Sequence, residues 1–363
     1  MINLATVFSG IGAIEYALKK SNLDYKIIFA CDNGERVLPQ SKEAIQKEID
    51  SKKLTSVQTQ VFIKKLYKET HKTNFVKKTY FANYSIKEND WFDDIRFIDG
   101  TKYINKVDLF VGGSPCQSFS NMGKRGGLDD TRGTLFYEFA RLVKEMKPKV
   151  FIYENVPGMI NHDDGNTWNV IKNVFSDLGY KIDYRLLNSK DYGIPQNRKR
   201  LYVVGFRDTK VNFSFPKAIQ LNKTMFDFLD DNVEPCYFLG EKGFKFVSTN
   251  KGRARINKDI IGTQKANQQF NWNGDFVFVN KEKIIDNNLI KERAYIGVYN
   301  GEEGAIRQLT PRECLRLMGY DDNFKIVVPN VHMYRQSGNS IVVNVFEYIL
   351  REIIITGVFD EKD

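Results

Sequence analysis

Histidine is scarce in this chain: only His71, His162 and His332 occur in 363 residues, far apart from one another. Cysteine is hardly commoner, and no two of Cys31, Cys116, Cys236 and Cys314 form a C-x-x-C pair. These shortages exclude zinc-type spacings and give no disulfide framework, so no metal and a reducing compartment are expected. No apolar run approaches the roughly 20 residues that cross a bilayer. The opening residues lack a basic leader and read directly as a strand, so neither a membrane segment nor a signal peptide is expected. Internal repeats and low-complexity tracts are also missing. What remains is a soluble globular balance, 42% hydrophobic and 27% charged, in a chain long enough for two lobes. The net charge of +9 suits a polyanionic partner such as nucleic acid, although many basic proteins bind none.

The chain is organised around Gly112-Gly113-Ser114-Pro115-Cys116-Gln117-Ser118. The preceding apolar run, residues 107–111, reads as a short buried strand closed by glycines. Cys116 therefore sits in a tight loop at the carboxyl end of a strand, where open α/β sheets bind their ligands. A second strand, residues 150–153, ends at Glu154-Asn155-Val156. If the two strands are parallel neighbours, the thiol and the carboxylate face one cleft.

Upstream, Phe8-Ser9-Gly10-Ile11-Gly12 joins a strand to a helix, and Asp32, with Asn33 beside it, closes the next strand 20 residues after Gly12. That layout is a nucleoside-binding unit whose acid accepts from ribose hydroxyls, or an ordinary β-α-β turn. The third glycine that approaches a pyrophosphate is replaced by Ala13. Asp94-Ile95 reads equally as an acceptor for an adenine amino group or as a turn. Residues 38–80 are polar and helical and read as a solvated insertion without chemistry. Residues 121–133, rich in glycine and charge, can move over a substrate. Gln196, Arg198 and Arg200 alternate, so in an extended segment they share one face.

A cysteine, a carboxylate and arginines at one sheet edge, with no histidine, are not a hydrolase set. The thiolate would have to be favoured by positive charge or backbone dipoles. A nucleoside site without phosphate groups suits S-adenosylmethionine. Methylation of cytosine at carbon 5 needs such residues. Thiolate addition to carbon 6 turns the ring into an enamine, a carboxylic acid at N3 lowers the barrier, and an arginine at O2 assists. The base must first leave the duplex stack.

In these motifs the sequence resembles the C5-cytosine DNA methyltransferases, along nearly its whole length and in the family's linear order. The resemblance implies Cys116 as nucleophile, with Glu154, Arg198 and Arg200 as the other catalytic groups. It implies cofactor contacts at Phe8, Ser9, Gly10, Ile11, Gly12, Asp32, Asn33, Asp94, Ile95, Pro115, Leu135, Asn339 and Ser340. It further implies an α/β fold: a Rossmann-like S-adenosylmethionine-dependent methyltransferase domain with a smaller β-rich target-recognition domain inserted before the C-terminal helix. Residues 1–222, completed by 335–363, would form the catalytic domain and 223–334 the recognition domain and hinge.

In that second region the stretch from Gly240 to Gly274 is basic, with Phe244, Phe246, Phe270 and Trp272 interleaved. It reads as a nucleic-acid surface or as a polar lobe with a basic face. Lys251, Arg253, Arg255, Lys258 and Gln264, together with Gln117, Ser118, Lys124 and Arg125 near the nucleophile, are read as DNA contacts. The expected protein is a monomeric, cytoplasmic, nucleoid-associated bacterial enzyme of a restriction–modification system. It would act on double-stranded DNA, bind no membrane and release S-adenosylhomocysteine. The alternatives are a tRNA cytosine methyltransferase, whose Cys-Phe-Thr signature is missing, and a non-catalytic DNA-binding relative.

Overall fold

The computed structural model describes residues 1–115, 135–267, 272–284 and 287–360. The chain divides into two compact units, Met1–Leu187 with Lys199–Lys217 and Phe346–Asp363, and Asn188–Arg198 with Ala218–Val345.

The first unit is built on seven strands: β1 (Ile2–Val7), β2 (Tyr25–Cys31), β3 (Trp91–Phe92), β4 (Leu109–Gly112), β5 (Val150–Asn155), β6 (Lys181–Asn188) and β7 (Lys199–Phe206). Their order is β3-β2-β1-β4-β5-β7-β6. The first five run parallel, and β7 returns antiparallel to β5. Leu109, Phe110 and Val111 of β4 and Val150 to Tyr153 of β5 are all buried. Continuous apolar runs of this kind are what strands covered on both faces require. The order reverses between β1 and β4, and at such a switch point the loops leaving the two strands diverge and open a crevice. The glycine turn follows β1 and the segment Gly113 to Pro115 follows β4, so the sequence motifs converge on that edge.

Helices α1 (Ala13–Lys20), α2 (Lys42–Ser51), α3 (Ser56–Glu69), α4 (Phe75–Asn83), α5 (Leu135–Met146) and α6 (Asn166–Asp177) belong to this unit. Helix α5 buries Phe136, Tyr137, Phe139, Ala140, Leu142, Val143 and Met146 in the core. Phe110 stacks on Phe139 at 4.6 Å between ring centres, and Phe151 meets Phe175 at 4.5 Å. The insertion is helical, as expected, and forms α2, α3 and most of α4. Its helices start on capping side chains of Ser41, Thr55 and Asn74. Leu38, Ile45, Ile49, Ile63, Leu66 and Tyr67 give it a small core of its own.

The second unit carries a four-stranded sheet, β8 (Ala254–Ile256), β9 (Gly274–Asn280), β10 (Gly297–Tyr299) and β11 (Glu302–Gln308), in the order β10-β11-β9-β8. Helices α7 (Glu241–Thr249), α8 (Lys281–Ile284), α9 (Asn288–Arg293), α10 (Pro311–Arg316) and α11 (Asn330–Asn339) accompany it, and α12 (Val343–Ile355) leads back to the first unit. Three of the aromatics interleaved with its lysines are core residues. Phe244 is buried with Val247, and Phe246 packs against Trp272 at 5.5 Å. Phe270 lies outside the described residues. Residues 188–198 group with the second unit, and the other borders fall at 217/218 and 345/346.

Candidate active site

The turn after β1 alternates left-handed residues, with φ of 53° at Phe8, 53° at Gly10 and 78° at Gly12. The strain falls on glycine twice, where no Cβ opposes it. At Gly12 space matters as well, since a Cβ would lie 2.3 Å from the Tyr84 ring. The Gly10 amide donates to Asp32 Oδ2 at 2.9 Å and that of Gly34 to Oδ1 at 2.8 Å. Burial pushes the Asp32 carboxyl up, against these two hydrogen bonds. Each oxygen keeps acceptor capacity beyond its one amide, as a pair of ribose hydroxyls requires. Ser9 Oγ takes the Cys31 amide at 3.1 Å, tying the turn to the end of β2. Asn33 is exposed and closes its own turn, accepting from the Glu35 amide and donating to the Arg36 carbonyl. Asp94 accepts from Arg96 and from the Tyr67 hydroxyl, and Ile95 is buried beside it.

At the neighbouring strand ends, β4 and β5 pair in parallel with Gly112 opposite Tyr153. A Cβ on Gly113 would lie 2.9 Å from Glu154 Oε2, so a side chain here would displace the carboxylate. Arg200 Nε stands 3.2 Å from Glu154 Oε1, both side chains only slightly exposed. The Asn155 amide donates to the Ser114 carbonyl at 2.8 Å, and the Tyr153 hydroxyl shares a hydrogen bond with Ser114 Oγ at 2.7 Å. Pro115 is exposed at the end of this segment. Cys116, Gln117, Ser118, Lys124, Arg125 and the rest of the glycine-rich loop lie outside the described residues. Leu135 opens α5 and packs against the main core.

In the second unit Arg198 is buried and donates to the carbonyls of Gln264, Gly338 and Ser340 at 2.8, 3.0 and 2.6 Å. Gln196 is buried too and donates to the Leu317 carbonyl at 2.7 Å. The alternation expected to put three side chains on one face thus carries two residues anchored to backbone. Gln264 is likewise no free reader: its side chain is buried and donates to the Cys314 carbonyl at 3.2 Å. Arg255 is ion-paired with Asp275 at 2.8 Å. Lys251, Arg253 and Lys258 are exposed around β8. Asn339 is exposed at the end of α11, and Ser340 is buried against the Tyr320 hydroxyl at 2.9 Å.

In each described cysteine the thiol is favoured over the thiolate. Burial raises the thiols of Cys31 and Cys314 well above the ordinary value, and partial burial with Glu234 nearby raises that of Cys236. Among the described residues no three His, Cys, Asp or Glu side chains converge as metal ligands. No helix there is long and apolar enough to cross a membrane. Sequence reasoning missed Tyr153 and Asn155 as ties between β5 and Ser114. It also missed Tyr67, Asn74, Tyr80 and Tyr84, whose only signal was three tyrosines recurring in an otherwise polar stretch.

A parallel-rich sheet whose order reverses between β1 and β4, with a glycine turn leaving β1 at that point, is the arrangement of a Rossmann-like methyltransferase. The sequence profile of the C-5 cytosine-specific DNA methylases matches residues 2–355, and the chain belongs to that family. It is therefore a DNA cytosine-5 methyltransferase, and the family implies S-adenosylmethionine as methyl donor. The chain is 36% identical to the Type II methyltransferase M.SsoII of Shigella sonnei, over 78% of this chain and 72% of that protein. It is 38% identical to the Type II methyltransferase M.HhaI of Haemophilus parahaemolyticus, over 69% of this chain and 77% of that one. It is 27% identical to the orphan methyltransferase M.SPRI of Bacillus phage SPR, over 100% and 99%. Among solved structures, the Dnmt2 methyltransferase of S. pombe superposes with a TM-score of 0.66 at 18% identity, covering 99% of this chain and 100% of that one, which shows a shared fold.

Proposed function

We propose that the enzyme methylates carbon 5 of a flipped-out cytosine within a specific double-stranded DNA sequence, through a covalent bond between Cys116 and carbon 6. It acts as a monomer without a metal, in the bacterial cytoplasm at the nucleoid, as the modification enzyme of a restriction–modification system. The observation that carries the reading is the pairing of Glu154 with Arg200 at the end of β5, beside the segment that leads into Cys116.

Asp32 binds the ribose of S-adenosylmethionine, Asp94 and Ile95 take the adenine, and the turn from Phe8 to Gly12 follows the rest of the molecule. Pro115, Leu135, Asn339 and Ser340 complete its walls. The bound cofactor supplies an electrophilic methyl group and leaves as S-adenosylhomocysteine. The Cys116 thiolate adds to carbon 6, and the charge that develops on N3 and O2 is met by Glu154 and Arg200. Carbon 5, now nucleophilic, takes the methyl group. Loss of its proton and expulsion of the thiolate then restore the ring. Arg198 anchors the backbone at Gln264, Gly338 and Ser340 within its own unit.

Residues 223–334 serve target recognition, with Lys251 and Lys258 on phosphates and Arg253 at a base edge. Gln117, Ser118, Lys124 and Arg125 contact DNA beside the nucleophile. The test is transfer of labelled methyl groups to duplex DNA and to tRNA, with bisulfite sequencing of DNA from expressing cells. Methylated cytosines in one recurring sequence are expected. Cys116→Ser should abolish transfer yet still bind DNA, and a duplex carrying 5-fluorocytosine should trap the wild type covalently. Transfer to tRNA alone, or full turnover by Cys116→Ser, overturns the reading.

A further inference from the structure

Four side chains from one stretch, residues 67–84, reach the elements that hold the cofactor. The Tyr84 hydroxyl donates to the carbonyls of Gly12 and Ile11 at 2.6 and 3.0 Å, and its ring occupies the space a Gly12 side chain would need. Asn74 Nδ2 donates to the Asp32 carbonyl at 2.9 Å, while its Oδ1 caps α4 through the Lys77 amide. The Tyr67 hydroxyl donates to Asp94 Oδ2 at 3.0 Å. The Tyr67 ring lies 4.6 Å beneath the Arg36 guanidinium, which is itself paired with buried Asp93. Tyr80 donates to Glu15 Oε1 at 2.6 Å, an oxygen that also accepts from Thr6 at the end of β1. All four side chains are buried.

A buried phenol or amide needs a hydrogen-bond partner, but nothing about burial dictates that Tyr84, Asn74 and Tyr67 find theirs on the glycine turn, the ribose acid and the adenine acid in turn. We propose that residues 67–84 are a brace for the cofactor site, in which Tyr67, Asn74 and Tyr84 are positioning residues that set the affinity for S-adenosylmethionine. The inference rests on the assignment of that site above. A turn held by its carbonyls is preorganised, whereas one that relaxes in the free protein must be reordered at each binding event, which weakens binding.

The test uses the full-length chain and the variants Tyr84→Phe, Asn74→Ala and Tyr67→Phe. Calorimetry with S-adenosylmethionine and S-adenosylhomocysteine gives Kd, steady-state kinetics separates KM from kcat, and thermal melting reports stability. Each variant should raise the Kd and the cofactor KM about threefold to tenfold, the loss expected for one hydrogen bond. The kcat at saturating cofactor and the affinity for duplex DNA should change less than about twofold, since no group at the reacting atoms is touched. A fall in Tm with unchanged cofactor Kd in these variants would reduce the segment to a structural role and overturn the proposal. Should Tyr84→Phe fail to fold, Tyr67→Phe and Asn74→Ala decide the question. A wild-type chain that binds no S-adenosylmethionine would instead overturn the site assignment.

Discussion

The side-chain amide of Asn155 holds the carbonyl of Ser114 at 2.8 Å, so the strand that carries the carboxylate also fixes the chain two residues ahead of Cys116. Removing the amide in Asn155→Ala frees that carbonyl without changing the reactive groups themselves. Misplacement of a reacting atom by about an ångström can cost on the order of 10²-fold in rate. Single-turnover methyl transfer should slow to that extent, with the cofactor Kd unchanged. Wild-type single-turnover rates in Asn155→Ala would show that Ser114 needs no such tie.

Glu154 and Arg200 should behave as a unit. Glu154→Gln keeps the shape of the side chain and removes the acid, so chemistry should slow on the order of 10²-fold or more. Cofactor affinity should not move. Loss of cofactor binding with chemistry intact would show that Glu154 is misassigned.

Glu15 is buried on α1, and its Oε2 has no hydrogen-bond partner. Burial raises its carboxyl above the ordinary value of 4.5, against the hydrogen bonds from Tyr80 and Thr6. The folded chain therefore keeps a proton that the unfolded chain gives up. This contribution to stability is complete below the unfolded value and is lost as the pH rises through the folded one. Glu15→Gln retains an acceptor for Tyr80 and Thr6 and does not titrate. Thermal melting of the variant should depend less on pH above 4.5 than that of the wild type. Identical profiles for the two proteins would exclude a neutral Glu15.

Lys251→Ala and Lys258→Ala should weaken binding to all duplexes alike, each lowering the salt slope by about 1. Arg253→Ala should instead cost about 1–3 kcal/mol at its own base pair and relax preference there. Binding titrations over a salt series, on the preferred site and on single-base variants of it, separate the two patterns. A uniform loss for Arg253→Ala would make it a phosphate contact.

The parts of the fold that were legible in the sequence are those whose signal is local. Strand β4, the strand ending at Glu154 and the glycine turn follow from adjacent residues, whereas the parallel pairing of β4 with β5 was only a condition of the reading. Long-range hydrogen bonds left no such trace. The short spacing of Gln196 and Arg198 looks like a binding face, and only the carbonyls of Leu317, Gln264, Gly338 and Ser340 reveal it as an anchor. The interleaved Phe244 and Trp272 left two readings open because a core of large aromatics and a nucleic-acid surface have the same composition. The polar insertion hid its tyrosines for the opposite reason: a segment with little apolar surface can still place a few hydroxyls on distant backbone.

Arg198 and Arg200, two positions apart, belong to different units. This matters to anyone who would transplant sequence specificity between such enzymes. A graft of residues 218–345 alone would leave the Gln196 amide and the Arg198 guanidinium facing foreign carbonyls, and an unmatched buried charge costs on the order of 3–5 kcal/mol. The exchangeable cassette is therefore discontinuous: it includes the hairpin tip at 188–198, and its seam passes between the two arginines.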